Sequence, residues 1–270
     1  TVEIIKSLSV YIIAGCLFAV FIAWIGAFIL YKLGRVDFAT AYFASTVGGA
    51  SEMVVLAEKN GSSNIPLVAS AHSLRVLIIV ILIPFTYQFL GLKGDVTTAA
   101  QLAQYSYIGL LKLLLLTGIV CFILDRLDAP NAMMLGGISV TALLTANDIV
   151  FTHLQPEIQH MGQMLLGWAL GSNYRPGFFK QAPQFLGAVS LMTIIYLLLA
   201  FIFCVFVAKL SGIYFPTAVL AMSPGGLAEM AITAKVLMLG APLVTSFQVS
   251  RLVFVLLTVG PSYRVVTKYL

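Results

Sequence analysis

Ala221-Met222-Ser223-Pro224-Gly225-Gly226-Leu227-Ala228-Glu229-Met230 has a counterpart earlier in the chain, Ala44-Ser45-Thr46-Val47-Gly48-Gly49-Ala50-Ser51-Glu52-Met53. The two stretches stand 177 residues apart, Gly48 to Gly225, and share the paired glycines and the Glu-Met that follows. The match runs on through Ala57 and Ala234. After a slip of one residue, Pro66-Leu67-Val68 falls on Pro242-Leu243-Val244. Ser70 then meets Ser246, His72 meets Gln248, Arg75 meets Arg251, and both copies close near a proline, Pro84 and Pro261. Identity concentrated on Gly, Glu, Met, Pro and Arg is not a chance pattern, so the chain reads as two copies of one unit.

Around both stretches the sequence is apolar. Of 270 residues, 60% are hydrophobic and 9% charged, with a mean hydropathy of +1.03. Water-soluble domains carry roughly 25% charged residues, so lipid is the solvent that suits this chain. A spanning helix takes about 20 mostly apolar residues. The candidates are Leu8 to Tyr31, Phe38 to Ala57, Ile65 to Leu90, Tyr105 to Leu124, Ala132 to Phe151, Ile158 to Leu170, Phe185 to Ala208, Phe215 to Leu239 and Leu243 to Tyr263. Ile158 to Leu170 is short enough to be re-entrant. The runs lack the alternation of a barrel strand, and only helices satisfy their own backbone while facing lipid. The linkers between them are too brief to hold a soluble domain. The expected fold is an all-α polytopic membrane protein of about nine hydrophobic segments in two homologous repeats, each with a Gly-broken helix.

Residues 1–100 read as the later part of repeat 1 and residues 101–270 as repeat 2. Carried back from Tyr105, the offset puts roughly seventy residues of repeat 1 ahead of Thr1 and implies a parent of about 340 residues. The start, Thr1-Val2-Glu3, has neither Met nor a signal-peptide layout, as expected of a fragment or a processed chain.

Adjacent glycines interrupt a helix at modest cost, and Pro224 also removes a donor and clashes with the preceding turn. In hydrocarbon, opened backbone is tolerated only where it is buried in protein or lines a cavity. The breaks at Gly48-Gly49 and at Pro224-Gly225-Gly226 fall inside apolar segments, which are therefore expected to hold discontinuous helices. Many transporters place their site at such paired interruptions, where half-helix N-termini offer positive dipole ends and freed carbonyls meet cations. The plainer reading is that Gly-Gly lets helices pack closely.

Glu52 and Glu229 lie one turn past the glycines. An ionisable group inside a membrane costs roughly 2.5–3.5 kcal/mol on insertion scales and normally faces a cavity or a partner. Arg75 and Arg251, in the helix that follows, are the partners at hand. A buried ion pair that sets helix register is one reading. Proton or cation binding by the carboxylates, or anion binding by the arginines, is the other. The candidate substrate- or ion-binding set is Gly48, Gly49, Glu52, His72, Arg75, Pro224, Gly225, Gly226, Glu229, Gln248 and Arg251.

Other polar residues carry less. Asn147-Asp148 ends an apolar run, where a helix cap is the simpler role. His72 is either a proton or ligand group or a satisfied interhelical donor. His153 and His160, seven residues apart, lack a third ligand for a metal. Cys16, Cys121 and Cys204 lie scattered in apolar runs, neither a disulfide framework nor a metal pair. No metal or cofactor is expected. Lys112 and Lys235 can snorkel from their helices. The net charge of +5 is unclustered and forms no basic, aromatic-lined patch for nucleic acid.

The doubled Gly-Gly-x-x-Glu-Met, followed by Ser246-x-Gln248-x-x-Arg251 and a proline, resembles the AbrB-like family of duplicated integral membrane proteins. So does Gly167-Trp168-Ala169-Leu170-Gly171 with Arg175 nearby. Members often carry the label ammonia monooxygenase or regulator. The resemblance covers almost the whole chain and implies a fold like that of broken-helix secondary transporters. The first copy departs from the fuller pattern, with Val47 in place of Pro and His72 in place of Gln, which implies a differently tuned half-site.

The expected function is a multi-pass transporter of the cell membrane, a bacterial inner membrane, rather than an enzyme. It would move a small solute, anionic in one reading, by alternating access, with protons or cations as coupling ions. The other classes are a regulatory membrane subunit and a membrane oxidase. Oxidation at copper or iron needs a cluster of His, Cys or carboxylate ligands, which three scattered histidines do not supply, and no GxSxG nucleophile motif is present. The expected partners are the lipid bilayer and a small solute or ion, with no nucleic acid; a homo-oligomer is left open. Five crossings per repeat invert the repeats and six make them parallel. Analogy with broken-helix transporters favours inversion.

Overall fold

Long runs of Leu, Ile, Val, Phe and Ala form helices here, and Gly, Pro and capping side chains set their ends. A computed structural model describes residues 2–62, 64–95, 105–127, 129, 132–147, 149–152, 155–172 and 182–267. Among these residues the regular elements are helices: α1 Val2–Leu33, α2 Phe38–Ser45, α3 Ala50–Lys59, α4 Ile65–Phe89, α5 Tyr107–Arg126, α6 Ala132–Ala146, α7 Pro156–Ser172, α8 Pro183–Ser211, α9 Phe215–Met222, α10 Leu227–Val236 and α11 Ala241–Val266. Proline opens α4, α8, α9 and α11 within the first two positions, where its missing N–H is not needed. Asp37 caps α2, accepting from Thr40 N at 2.9 Å and Thr40 Oγ1 at 2.6 Å. Gly212, at φ 70°, closes α8 in the left-handed conformation.

Five helices are long and apolar enough to cross a membrane: Leu8–Leu33, Ile65–Phe89, Tyr107–Arg126, Pro183–Ser211 and Ala241–Val266. The remaining apolar segments hold shorter helices, from 8 residues in α2 and α9 to 17 in α7. Pro84 and Pro261 each lie inside a helix, five residues before it ends.

The chain forms two compact units, one of Thr1–Ile5 with Val96–Ala169 and one of Lys6–Asp95 with Leu170–Leu270. In the first, α5 and α6 pack together through Gly136. A Cβ there would lie 2.6 Å from Cys121 Sγ and 2.9 Å from its Cα. Because that contact is with backbone, Gly136→Ala is expected to push α5 and α6 apart. Overpacking of this kind costs roughly 1–3 kcal/mol, and thermal unfolding of the purified protein in detergent would read it as a lower midpoint. Asn147 donates from Nδ2 to Leu143 O at 2.7 Å, closing the end of α6. Asp148, His153 and Arg175 lie outside the described residues, and His160 is exposed on α7.

The second unit carries both glycine motifs. One buried cluster gathers Ile22, Tyr42, Phe43, Met53, Leu74, Met192 and Tyr196. The other gathers Cys16, Ile79, Leu220, Met230, Val244 and Phe247. The long helices of this unit are apolar over most of their surface, with buried polar side chains on α4 and α11. On α1, Ala19, Ala23 and Ala27 face inward while Ile13, Leu17, Phe21 and Phe28 face outward and exposed. Small residues inside and large apolar ones outside suit helices that pack in lipid.

Candidate functional site

Between α2 and α3 the chain runs through Thr46-Val47-Gly48-Gly49, and between α9 and α10 through Ser223-Pro224-Gly225-Gly226. A short helix ends before each stretch and leaves its last carbonyls without intrahelical donors. Side chains from the following long helix supply those donors. Arg75 of α4 donates from Nη1 to Thr46 O at 2.9 Å and to Ser45 O at 3.4 Å. Arg251 of α11 donates from Nη1 to Ser223 O at 2.6 Å and from Nη2 to Gly225 O at 3.2 Å. Both side chains are buried, Arg75 at 2% exposure and Arg251 at 8%.

One turn earlier on each long helix stands a second polar group. Gln248 accepts from Arg251 Nη2 at 2.6 Å through Oε1 and donates from Nε2 to Leu220 O at 2.9 Å. His72 meets Arg75 Nη2 at 2.9 Å through Nδ1 and Phe43 O at 2.9 Å through Nε2. Arginine only donates, so Nδ1 must accept and Nε2 must carry the proton. In this neutral tautomer His72 offers the same acceptor and donor as the glutamine amide. His72→Gln is therefore expected to leave the unfolding midpoint near that of the wild type. His72→Leu strips a partner from Phe43 O and from Arg75, at a cost of about 1–3 kcal/mol for a stranded buried group. A thermal melt of the two variants side by side checks this.

The arginines do not turn to the carboxylates, contrary to the expected Glu–Arg pairing. Glu52 and Glu229 are partly exposed and occupy the third position of α3 and α10, in the first turn. Ser51 Oγ donates to Glu52 Oε2 at 3.3 Å, and the Glu229 carboxylate folds back over Gly226. The physical reason lies in the two helix ends that flank each glycine stretch. The C-terminal end of the first helix presents carbonyls and attracts a cation, while the N-terminal end of the second presents N–H groups and attracts an anion. Each arginine serves one end and each glutamate the other.

The glycines meet the plainer of the two needs the sequence suggested, close packing. None of the four at the two interruptions has a positive φ. Space is what they provide. A Cβ on Gly225 would lie 3.0 Å from Ile79 Cγ2, one on Gly48 would lie 2.9 Å from Met53 Cε, and one on Gly226 would strike the Glu229 carboxylate. Pro224 follows Ser223, whose extended backbone ends α9 as a residue before proline should.

Further contributors went unnoticed in the sequence. Tyr196 of α8 donates to Ser45 O at 2.8 Å, with Gly26 of α1 leaving room for its ring. Met53 and Met230, both fully buried, pack beside the glycines, and Ser223 Oγ lies 3.2 Å from Met230 Sδ. A lone Tyr in an apolar run was the only signal for the first. The Met of each motif was visible without its purpose.

The two arrangements converge. Gly225, whose carbonyl Arg251 holds, packs on Ile79, one turn beyond Arg75 in α4. Among the described residues, no group of three His, Cys, Asp or Glu side chains is disposed to hold a metal ion.

The AbrB family model, described as transition state regulatory protein AbrB, matches residues 1–267. YhjN of Bacillus subtilis (strain 168) is 28% identical over 265 residues, which cover 91% of this chain and 68% of that protein. A candidate regulator, AbrB, of Escherichia coli (strain K12) is 30% identical over 230 residues, covering 83% of this chain and 64% of that protein. The chain thus spans about two thirds of the length of these curated relatives. No solved structure matches. With the family's model matched from end to end of the described helices, the chain belongs to the AbrB family.

Proposed function

We propose that this chain is the core of a secondary transporter that moves a small solute across the cell membrane by alternating access. In this reading α2 with α3, and α9 with α10, are two discontinuous membrane spans contributed by two homologous, inverted repeats. The solute passes where the two interruptions meet. The observation that carries the proposal is a hydrogen-bond pattern met twice at matching positions. His72 and Gln248 bond to the carbonyls of Phe43 and Leu220, and Arg75 and Arg251 bond to those of Thr46 and Ser223. A duplicated, polar, buried device that holds helices open inside lipid is costly to maintain for packing alone. Glu52 and Glu229, partly exposed beside the breaks, are the coupling groups in this reading.

Regulation without transport is the second reading, favoured by the name of the Escherichia coli relative. Uptake into proteoliposomes separates the two. The full protein is reconstituted, a pH or sodium gradient is imposed, and a panel of small labelled organic and inorganic anions is offered. Gradient-dependent accumulation above that of protein-free vesicles is the expected result. Vesicles that stay at background for every solute and both gradients would leave regulation as the better account.

A further inference from the structure

We infer that Arg75 and Arg251 together form a single binding site for a small oxyanion, of the sulfate or phosphate kind. The inference rests on the transporter reading for its biological use but not for its chemistry. Two guanidinium groups are buried in one unit of the fold, and among the described residues their partners are carbonyls, an imidazole and an amide, all neutral. Glu52 and Glu229 sit instead in the first turns of α3 and α10. Among the described residues, then, two positive charges stand in the interior without a carboxylate bonded to them. Burying a charge is expensive unless it is paired. Carbonyl dipoles offset part of that cost and an anion would offset the rest.

The donor count agrees. Arg75 Nε and Arg251 Nε are buried and have no hydrogen-bond partner among the described residues. A guanidinium presents five N–H donors, and a buried donor left idle normally finds an acceptor. These two idle donors belong to two arginines of one compact unit: Arg251 holds the carbonyl of Gly225, and Gly225 packs on Ile79, one turn beyond Arg75 in α4. An oxyanion carries several acceptor oxygens and as much as two negative charges, so one ion can take an N–H from each arginine. Charge-assisted bonds of this kind are the strong ones, and arginine suits planar and tetrahedral oxyanions better than lysine does. Met53 and Met230 are the flexible neighbours able to make room, since a thioether chain repacks readily.

The test is equilibrium binding of radiolabelled sulfate to the purified full chain in detergent, with unlabelled phosphate and chloride as competitors at constant ionic strength. Saturable sulfate binding displaced by phosphate, and displaced poorly by chloride, is expected. Arg75→Lys and Arg251→Lys keep the positive charge but lose the Nε–H. Each should weaken binding by about ten-fold or more, the worth of one charge-assisted hydrogen bond. No saturable binding to the wild type overturns the inference, as does displacement by chloride as effective as that by phosphate. Unchanged binding in both lysine variants overturns it too, because the site would then lie elsewhere. If a lysine variant does not fold, the wild-type binding and competition decide the matter. Binding without flux would sink the transporter reading and leave this site standing. Flux of a neutral or cationic solute without sulfate binding would do the reverse.

Discussion

Arg251→Ala is expected to lower stability more than any other single change considered, by about 2–5 kcal/mol. The reason differs from the one the sequence suggested. Removing the side chain strands no carboxylate; it strands backbone. Gly225 O loses the donor at 3.2 Å, Gln248 Oε1 loses the one at 2.6 Å, and Ser223 O keeps only the Gln248 amide at 3.2 Å. Each unsatisfied buried group costs about 1–3 kcal/mol, and in lipid no water is at hand to replace the partner. Arg251→Lys, which keeps one cationic donor at the carbonyls, should fall between the wild type and alanine. Melting of the three proteins in one detergent checks the order. An alanine variant that melts with the wild type would mean that the carbonyls find other partners and that the arginine does not hold the break.

Glu229→Gln is expected to abolish gradient-driven flux while leaving the fold intact. The amide keeps the size and the hydrogen-bonding capacity of the carboxylate but can neither exchange a proton at working pH nor supply a full charge. Stability should change little, because the Glu229 carboxylate lies against its own helix start at Gly226 and makes no bond to Arg251. The helix-dipole interaction that is lost amounts to about 0.3–1 kcal/mol for an exposed first-turn acid. Glu229 is the sharper choice over Glu52 because Pro224 fixes its interruption. Flux measured in proteoliposomes beside a melt of the same preparation separates coupling from folding. Gradient-dependent flux that survives the substitution would remove the carboxylate from the mechanism and leave it a helix cap.

Helical class and the match to the AbrB family were legible in the sequence, since composition and the doubled motif do not depend on distant contacts. The partners of the charged residues were not. Two arginines and two glutamates at spacings that differ by one residue invite pairing on paper. Which group meets which depends on where the short helices end, and therefore on which carbonyls and N–H groups are left open. The ends at Ser45 and Met222 are set by the extended backbone of Thr46 and Ser223, a feature that only proline announces, and only in the second case. Histidine in place of glutamine at position 72 reads as a differently tuned half-site. With Nδ1 accepting and Nε2 donating it performs the same two bonds. Tyr196 reaches Ser45 from 151 residues away, a contact that no local pattern could carry.

The most direct measurement of the central claim is the accessibility of the two helix starts from the two faces of the membrane. Ser51 and Ala228, exposed or partly exposed beside the interruptions, are replaced singly by cysteine. The parent chain, whose Cys16, Cys121 and Cys204 are buried, provides the background. The proteins are reconstituted in vesicles of defined orientation and treated with a membrane-impermeant maleimide added inside or outside. The account predicts labelling of both positions from both faces, with the balance shifting from one face to the other when a gradient and a transported anion are supplied. Labelling confined to one face, or absent, and indifferent to gradient and solute would contradict it.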